Sequence, residues 1–443
     1  MSLADRRWLR LIVLCTFYVA QGIPWGFTAV TIPAYIKAHG VAPAAVASAL
    51  AMTTLPYSFK WAFGPLIDAF TIPRWGRRRP WIVFAQLMMA LTILSMILIP
   101  DLTIDLRMLA WAVLIHTVFN ALQDVAVDAL AVDLLSEDER GRANGFMYGS
   151  KYVGGAIGGF GMSWVIVHAS LGTALITQTV ILLAIMMVPL LVRETDKPVE
   201  ARPQLRAVIR DLAEVFSVRA ALVTGVLMLT INVALGMLIA NGFGMFIEHL
   251  HWSQAKYTEL TGGLLLGVGF GGAMIGGVLA DYVGRRRLAA IASIVMASGW
   301  VVFGLATSLW TNDRFIYAMA ILEALTSSMM TVTLFALCMD VSWARIGASQ
   351  FAAYMAFANI STVIGFKLSG ILGEYLDYTG LYLTAAAIQV AVTAALLGID
   401  PKQVARTLPR ADGAGVPRRG IVAVIGFAVV LLAMTIYTIR PLL

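Results

Sequence analysis

Thirteen apolar runs, most of them 20 residues or longer, recur from one end of this 443-residue chain to the other. About 20 apolar residues wound as a helix cross the hydrocarbon of a bilayer. The runs lie near 9–34, 44–69, 80–100, 107–135, 142–168 and 171–192, then 220–247, 257–282, 287–308, 314–340, 348–374 and 378–398, with a last one near 420–439. Hydrophobic residues make up 60% of the chain and charged residues 13%, against roughly 45–50% and 25% in soluble domains. Strand alternation is missing, and lipid offers no partner for an open backbone, so each run reads as a helix. The expected class is an all-α polytopic membrane protein. The first run starts near Trp8 and reads as a retained helix, not a cleavable signal.

The connections carry a charge asymmetry. Of the 32 Lys and Arg residues, 24 fall on one alternating set of connections and 5 on the other. By the positive-inside rule the N-terminus, the 193–219 connection and the 399–419 linker are expected to be cytoplasmic. The net charge of +7 is then a consequence of topology, and no nucleic-acid partner is expected. Cys15 and Cys338, both inside apolar runs, have no metal-ligand or disulfide spacing and read as packing residues. No phosphate-binding G-x-x-x-x-G-K-[ST] motif occurs, and "GVGFGG" lies inside an apolar run with no strand beside it. No cofactor or metal is expected.

Two segments repeat. "GPLIDAFTIPRWGRRR" (64–79) is answered by "GGVLADYVGRRR" (276–287), about 208 residues later. "AVDLLSEDERGRANGF" (131–146) is answered by "CMDVSWARIGASQF" (338–351), about 207 later. Two parallel six-helix halves account for both. The expected divisions are 1–196, a linker 197–219, 220–399, a second linker 400–419, and an extra helix within 420–443.

"GGVLADYVGRRR" resembles the G-x-x-x-D-x-x-G-R-R/K loop signature of the major facilitator superfamily. The first copy carries five extra residues between Asp68 and Gly76. That longer form, "FKWAFGPLIDAFTIPRWGRRRPW", resembles the peptide/acetyl-CoA transporter branch, which includes muropeptide permeases of the AmpG type. "QDVAVDALAVDLL" and "GASQFAAYMA" are similar to segments of that branch. The resemblance implies a major facilitator fold of 12 transmembrane helices in two halves, with a 13th helix outside the pattern.

Charges inside the apolar runs are the candidate site. Asp124 and Asp128 lie four residues apart on one face of the fourth helix. A carboxylate at such depth needs water, a cation or a proton. Lys60 and Lys151 sit at similar depth in the second and fifth helices, roughly 12 and 14 Å from the cytoplasmic ends at 1.5 Å per residue. Three readings stand side by side: a structural ion-pair network, a site where the lysines attract an anionic group while an aspartate carries a proton, and a division in which one pair is structural and the other functional. Asp133 is expected at the cytoplasmic mouth, paired with Arg140 or Arg142. Gln21 and Tyr18 in the first helix, Asn232 in the seventh, Asn359 in the eleventh and Glu323 in the tenth are further candidates. Glu323 is read as a proton carrier or an ion-pair partner, and each lone amide equally as an interhelical hydrogen bond. The "NGFG" stretch (241–244) is expected to loosen the seventh helix. Asp68 with Arg77, and Asp281 with Arg285, are expected to hold the cytoplasmic side shut and release it when the halves rock.

The expected function is secondary transport, not enzymatic catalysis. The resemblance implies proton-coupled import of an anionic or zwitterionic solute, muropeptide first, across a bacterial inner membrane by a monomer. A siderophore or acetyl-CoA is the alternative substrate. A non-transporting sensor or scaffold is the alternative class.

Overall fold

The computed structural model describes residues 2–39, 55–72, 75–99, 101, 104–194, 205–408 and 417–439. Among them there are only helices and two isolated bridges, Ser2 with Arg193 and Ile72 with Gly76. The first six helices are α1 (Arg7–Ile36), α2 (Lys60–Ala69), α3 (Arg79–Leu98), α4 (Leu106–Leu134), α5 (140–168) and α6 (Leu171–Leu191). The second six are α7 (Arg219–Gly242), α8 (Leu265–Val283), α9 (Arg285–Leu305), α10 (Asp313–Val341), α11 (Gly347–Leu372) and α12 (Tyr378–Thr393). A connecting helix (Leu205–Phe216) lies between the sets, and α13 spans Arg418–Ile439. Ten helices among the described residues are long and apolar enough to cross a membrane. Large apolar side chains such as Phe160, Val167, Leu191 and Leu397 point outward, as lipid-facing surface requires. The first half of the 44–69 run lies outside the described residues.

Local irregularities have partners. α1 and α5 each widen into a π turn, at Phe27–Thr31 and Ile157–Gly161. The two turns meet, and the Thr31 hydroxyl lies 2.8 and 2.7 Å from the Gly158 and Gly159 carbonyls. In α7 the helix breaks at Ile231–Asn232, ahead of the expected "NGFG"; a π turn over Gly244–His249 follows there as well. The break is tolerated because the Asn232 N–H donates to Ser361 Oγ at 2.8 Å.

The halves meet most extensively where α5 packs on α8 and α2 on α11. Both rest on glycine. A Cβ on Gly277 would lie 2.6 Å from Gly145 Cα, and one on Gly64 would lie 2.6 Å from Ser349 Cα. Backbones this close need small residues. Gly277→Val is therefore expected to keep the halves from closing, since overpacking costs about 1–3 kcal/mol. Ser349→Cys, in a background without Cys15 and Cys338, would report this as faster alkylation from the arginine-rich side. Unchanged alkylation would contradict it.

The connecting helix is pinned by Asp211 to Arg345, 2.9 Å away on the α10–α11 turn. α13 packs along it. Phe427 sits between Phe216 and Phe357, with ring centroids 5.2 and 4.6 Å away. The thirteenth helix thus adheres to the linker and to α11.

Candidate functional site

Between the halves lies a cavity of about 260 Å³ whose wall includes Tyr18, Lys60, Asp124, Asp128, Lys151 and Asn232. α2, α4 and α5 bring three of these into contact. Lys60 Nζ is ion-paired and hydrogen-bonded to Asp124, and Lys151 Nζ stands 3.6 Å from the other Asp124 oxygen. One helical turn on, Asp128 accepts the Tyr18 hydroxyl at 2.5 Å. Lys60 and both aspartates are almost fully buried, whereas Lys151 is one-quarter exposed. Lys151 is therefore the more accessible of the two cations.

Aromatic side chains that the charge reading passed over complete the wall. Lys60 Nζ stands 5.0 Å from the centre of the Tyr57 ring. Tyr148 packs edge-on against Tyr152 and Phe335. A neighbouring cavity of about 450 Å³ adds Trp25 and Tyr152 to the two lysines. The signal was present: Tyr148 and Tyr152 lie three before and one after Lys151, and four apart on one face.

The other candidates divide. Asn359 lines the cavity, and its amide reaches the Tyr57 carbonyl at 3.5 Å. Asn232 lines it too, donating to the Ala358 carbonyl at 3.3 Å. Gln21 does not line it. Its side chain is buried within the first half, and neither amide atom has a protein partner. Glu323 stands apart from the cluster, in a separate cavity of about 320 Å³, where it accepts Trp300 Nε1 at 2.6 Å.

The loop carboxylates do more than pair with their own arginines. Asp68 takes Arg77 at 3.0 Å and Arg78 at 2.7 Å, and also accepts the Ser349 N–H and hydroxyl, each at 2.7 Å, from the opposite half. Asp281 stands 3.5 Å from Arg285, but its nearer partners are the Gly141 and Arg142 N–H groups and Arg142 Nε, all at 3.0 Å. Each carboxylate thus caps the first turn of a helix in the other half, where free N–H groups and the helix dipole favour an anion. Asp340 binds Arg140 at 2.9 Å and also Arg285. With Arg140 and Arg142 so engaged, Asp133 pairs with Arg78 at 2.8 Å, not with either of the two expected.

The loop glycines hold these carboxylates in place. Gly76 and Gly284 have φ of +105° and +91°, which only glycine adopts without strain. Glu194 accepts the N–H groups of Arg77 and Arg78 at 2.8 and 2.7 Å, and that of Arg79. Burial pushes its carboxyl above the ordinary range, and these donors pull it back.

Known proteins share this architecture. A sequence model described as Major Facilitator Superfamily matches residues 14–340 and 243–443. The anhydromuropeptide permease of Escherichia coli (strain K12) is 24% identical over 399 residues, covering 86% of this chain and 78% of that protein. A putative transporter, AmpG 4, of Rickettsia conorii is 23% identical over 322 residues, covering 70% and 73%. The human organic anion transporter MFSD10 superposes with a TM-score of 0.67 at 11% identity, over 87% of this chain and 98% of that one. The proton:xylose symporter XylE does so with a TM-score of 0.67 at 12% identity, over 90% and 99%. At such identities the structures speak for the fold alone. With the family pattern running from residue 14 to residue 443 over helices that enclose a charged cavity, the chain belongs to the major facilitator superfamily and is a multi-pass membrane transporter, not an enzyme.

Proposed function

We propose that this transporter is a proton-coupled importer of an anionic or zwitterionic solute, muropeptide first, across a bacterial inner membrane. The observation that carries the reading is the convergence of Lys60 and Lys151 on Asp124 at the cavity wall, with Asp128 held by Tyr18 beside them. Two cations and two carboxylates leave the cluster neutral when both acids are ionised. One proton on an aspartate makes it positive, so proton uptake and anion binding favour each other. The solute's acidic group meets Lys151, the looser and more exposed partner of Asp124. The likeness to the E. coli anhydromuropeptide permease supports the solute class.

The arginine-rich side is taken as cytoplasmic, on the weight of the charge asymmetry. Asp68 and Asp281, with Arg77 and Arg285, act as the gate on that side. In this conformer they close it, and the cavity loads from the opposite side. Rocking of the halves breaks both caps and exposes the cluster to the cytoplasm. Divisions at 1–196, 197–219, 220–399, 400–419 and 420–443 describe the moving bodies and their connections.

A thermal-shift screen of the purified protein against muropeptides, siderophores and coenzyme A esters tests the solute. Stabilisation by muropeptide alone is expected, and stabilisation by another class would replace it. Asp128→Asn tests the coupling. Accumulation driven by an imposed pH gradient is expected to fall to the level seen without one, while exchange of labelled for unlabelled solute continues. Wild-type accumulation in Asp128→Asn would remove that residue from the coupling. Indifference of the wild type to the gradient would remove coupling itself.

A further inference from the structure

The Glu323 cavity lies inside the second half, enclosed by α7, α8, α9, α10 and α12. Its carboxylate has one neutral donor, Trp300 Nε1 at 2.6 Å. Among the described residues it has no ion-pair partner, and none of its other neighbours is cationic. Trp300, Phe303, Phe246 and Tyr382 stand around it. A lone acidic side chain in an aromatic-lined chamber, with no cationic partner among the described residues, is the chemistry that receives an organic cation: the carboxylate supplies charge and hydrogen bonds, and aromatic rings favour a cation beside them.

The two cavities are neighbours. α7 lends Leu235 to the charged one and Leu238 to this one, while α10 lends Thr331 to the first and Glu323 to the second. Eight residues of helix separate Glu323 from Thr331, about 12 Å along α10.

We propose that the Glu323 cavity is a subsite for the ammonium group of a zwitterionic ligand, whose acidic end lies at Lys60 and Lys151. Opposite charges placed in separate chambers select an extended dipolar molecule over a compact anion. The assignment to the transported solute rests on the preceding reading, whereas ammonium binding itself does not.

The test uses the full-length protein in nanodiscs, titrated calorimetrically with 2-phenylethylammonium and with 2-phenylethanol, its neutral counterpart. Saturable binding of the ammonium is expected, at least about tenfold tighter than the alcohol. Glu323→Gln still offers an oxygen to Trp300 and is expected to erase that preference. Equal binding of the two probes by the wild type, which needs no variant, would overturn the proposal. So would an undiminished preference in Glu323→Gln. Should muropeptide prove not to be the solute, these titrations still decide the subsite.

Discussion

Lys60→Ala is expected to reduce uptake by at least about a hundredfold and to destabilise the first half as well. The ammonium it removes is the close partner of Asp124, and both side chains are almost fully buried. Removing one member of a buried pair costs about 3–5 kcal/mol, because the surviving charge is left uncompensated. Lys151, at 3.6 Å and partly exposed, compensates only in part. The double variant Lys60→Ala/Asp124→Ala separates the two effects. It should recover much of the lost thermal stability, since no fully buried charge is left without its partner and the released Lys151 is one-quarter exposed, yet recover no uptake. Lys151→Ala and Asp124→Asn are expected to lose uptake in the same vesicle assay. If all three single variants transport at the wild-type rate, the cluster is an ion-pair network that holds helices together and nothing more.

The second large effect is expected at Asp68. Its carboxylate is wholly buried and takes donors from Arg77, Arg78 and, across the halves, Ser349. Asn keeps the shape, loses the charge and puts an amine where an acceptor is needed. Arg78, itself fully buried, would retain Asp133 and, at 3.4 Å, the Ile67 carbonyl. The two Ser349 bonds are the part that the closed arrangement alone makes, and at about 1.5–3 kcal/mol each for a bond to a charged group their loss is enough to leave the gate open for most of the time. Transport should then fall by about a hundredfold or more, while solute binding, read by thermal shift, persists. Asp281→Asn should cost less, because Arg285 keeps Asp340 and much of the lost bonding is to backbone N–H groups. Equal transport by Asp68→Asn and the wild type would show that the cap does not govern the gate.

Much of this molecule is legible without coordinates. The helices of α3, α4 and α6 begin and end within a few residues of the apolar runs, because hydrocarbon thickness and hydrogen bonding leave a lipid-embedded segment little choice. The repeated Gly-Arg-Arg-Arg loops follow from residue order alone, and Gly76 and Gly284 duly share a left-handed φ. The break in α7 was harder to place. Asn241 and Gly242 look like the weak point, but the helix interrupts where Ser361 on another helix can take up the freed N–H.

Depth along a helix is a one-dimensional quantity, so it put Asp124, Lys60 and Lys151 at similar levels but also counted Glu323 with their site, from which the structure separates it. Rotation and partner choice are settled between helices. Asp133 shows this: its near neighbours in sequence are Arg140 and Arg142, yet both serve carboxylates of the other half, and Arg78 takes their place. The sequence alone determined an all-helical membrane protein, its charge asymmetry and its twofold repeat, because each depends on local hydropathy and spacing. The tertiary structure decided which charges meet, which carboxylate caps which helix, and that Glu323 lies in a separate chamber, because those contacts join residues up to 281 positions apart and depend on how helices turn their faces toward one another.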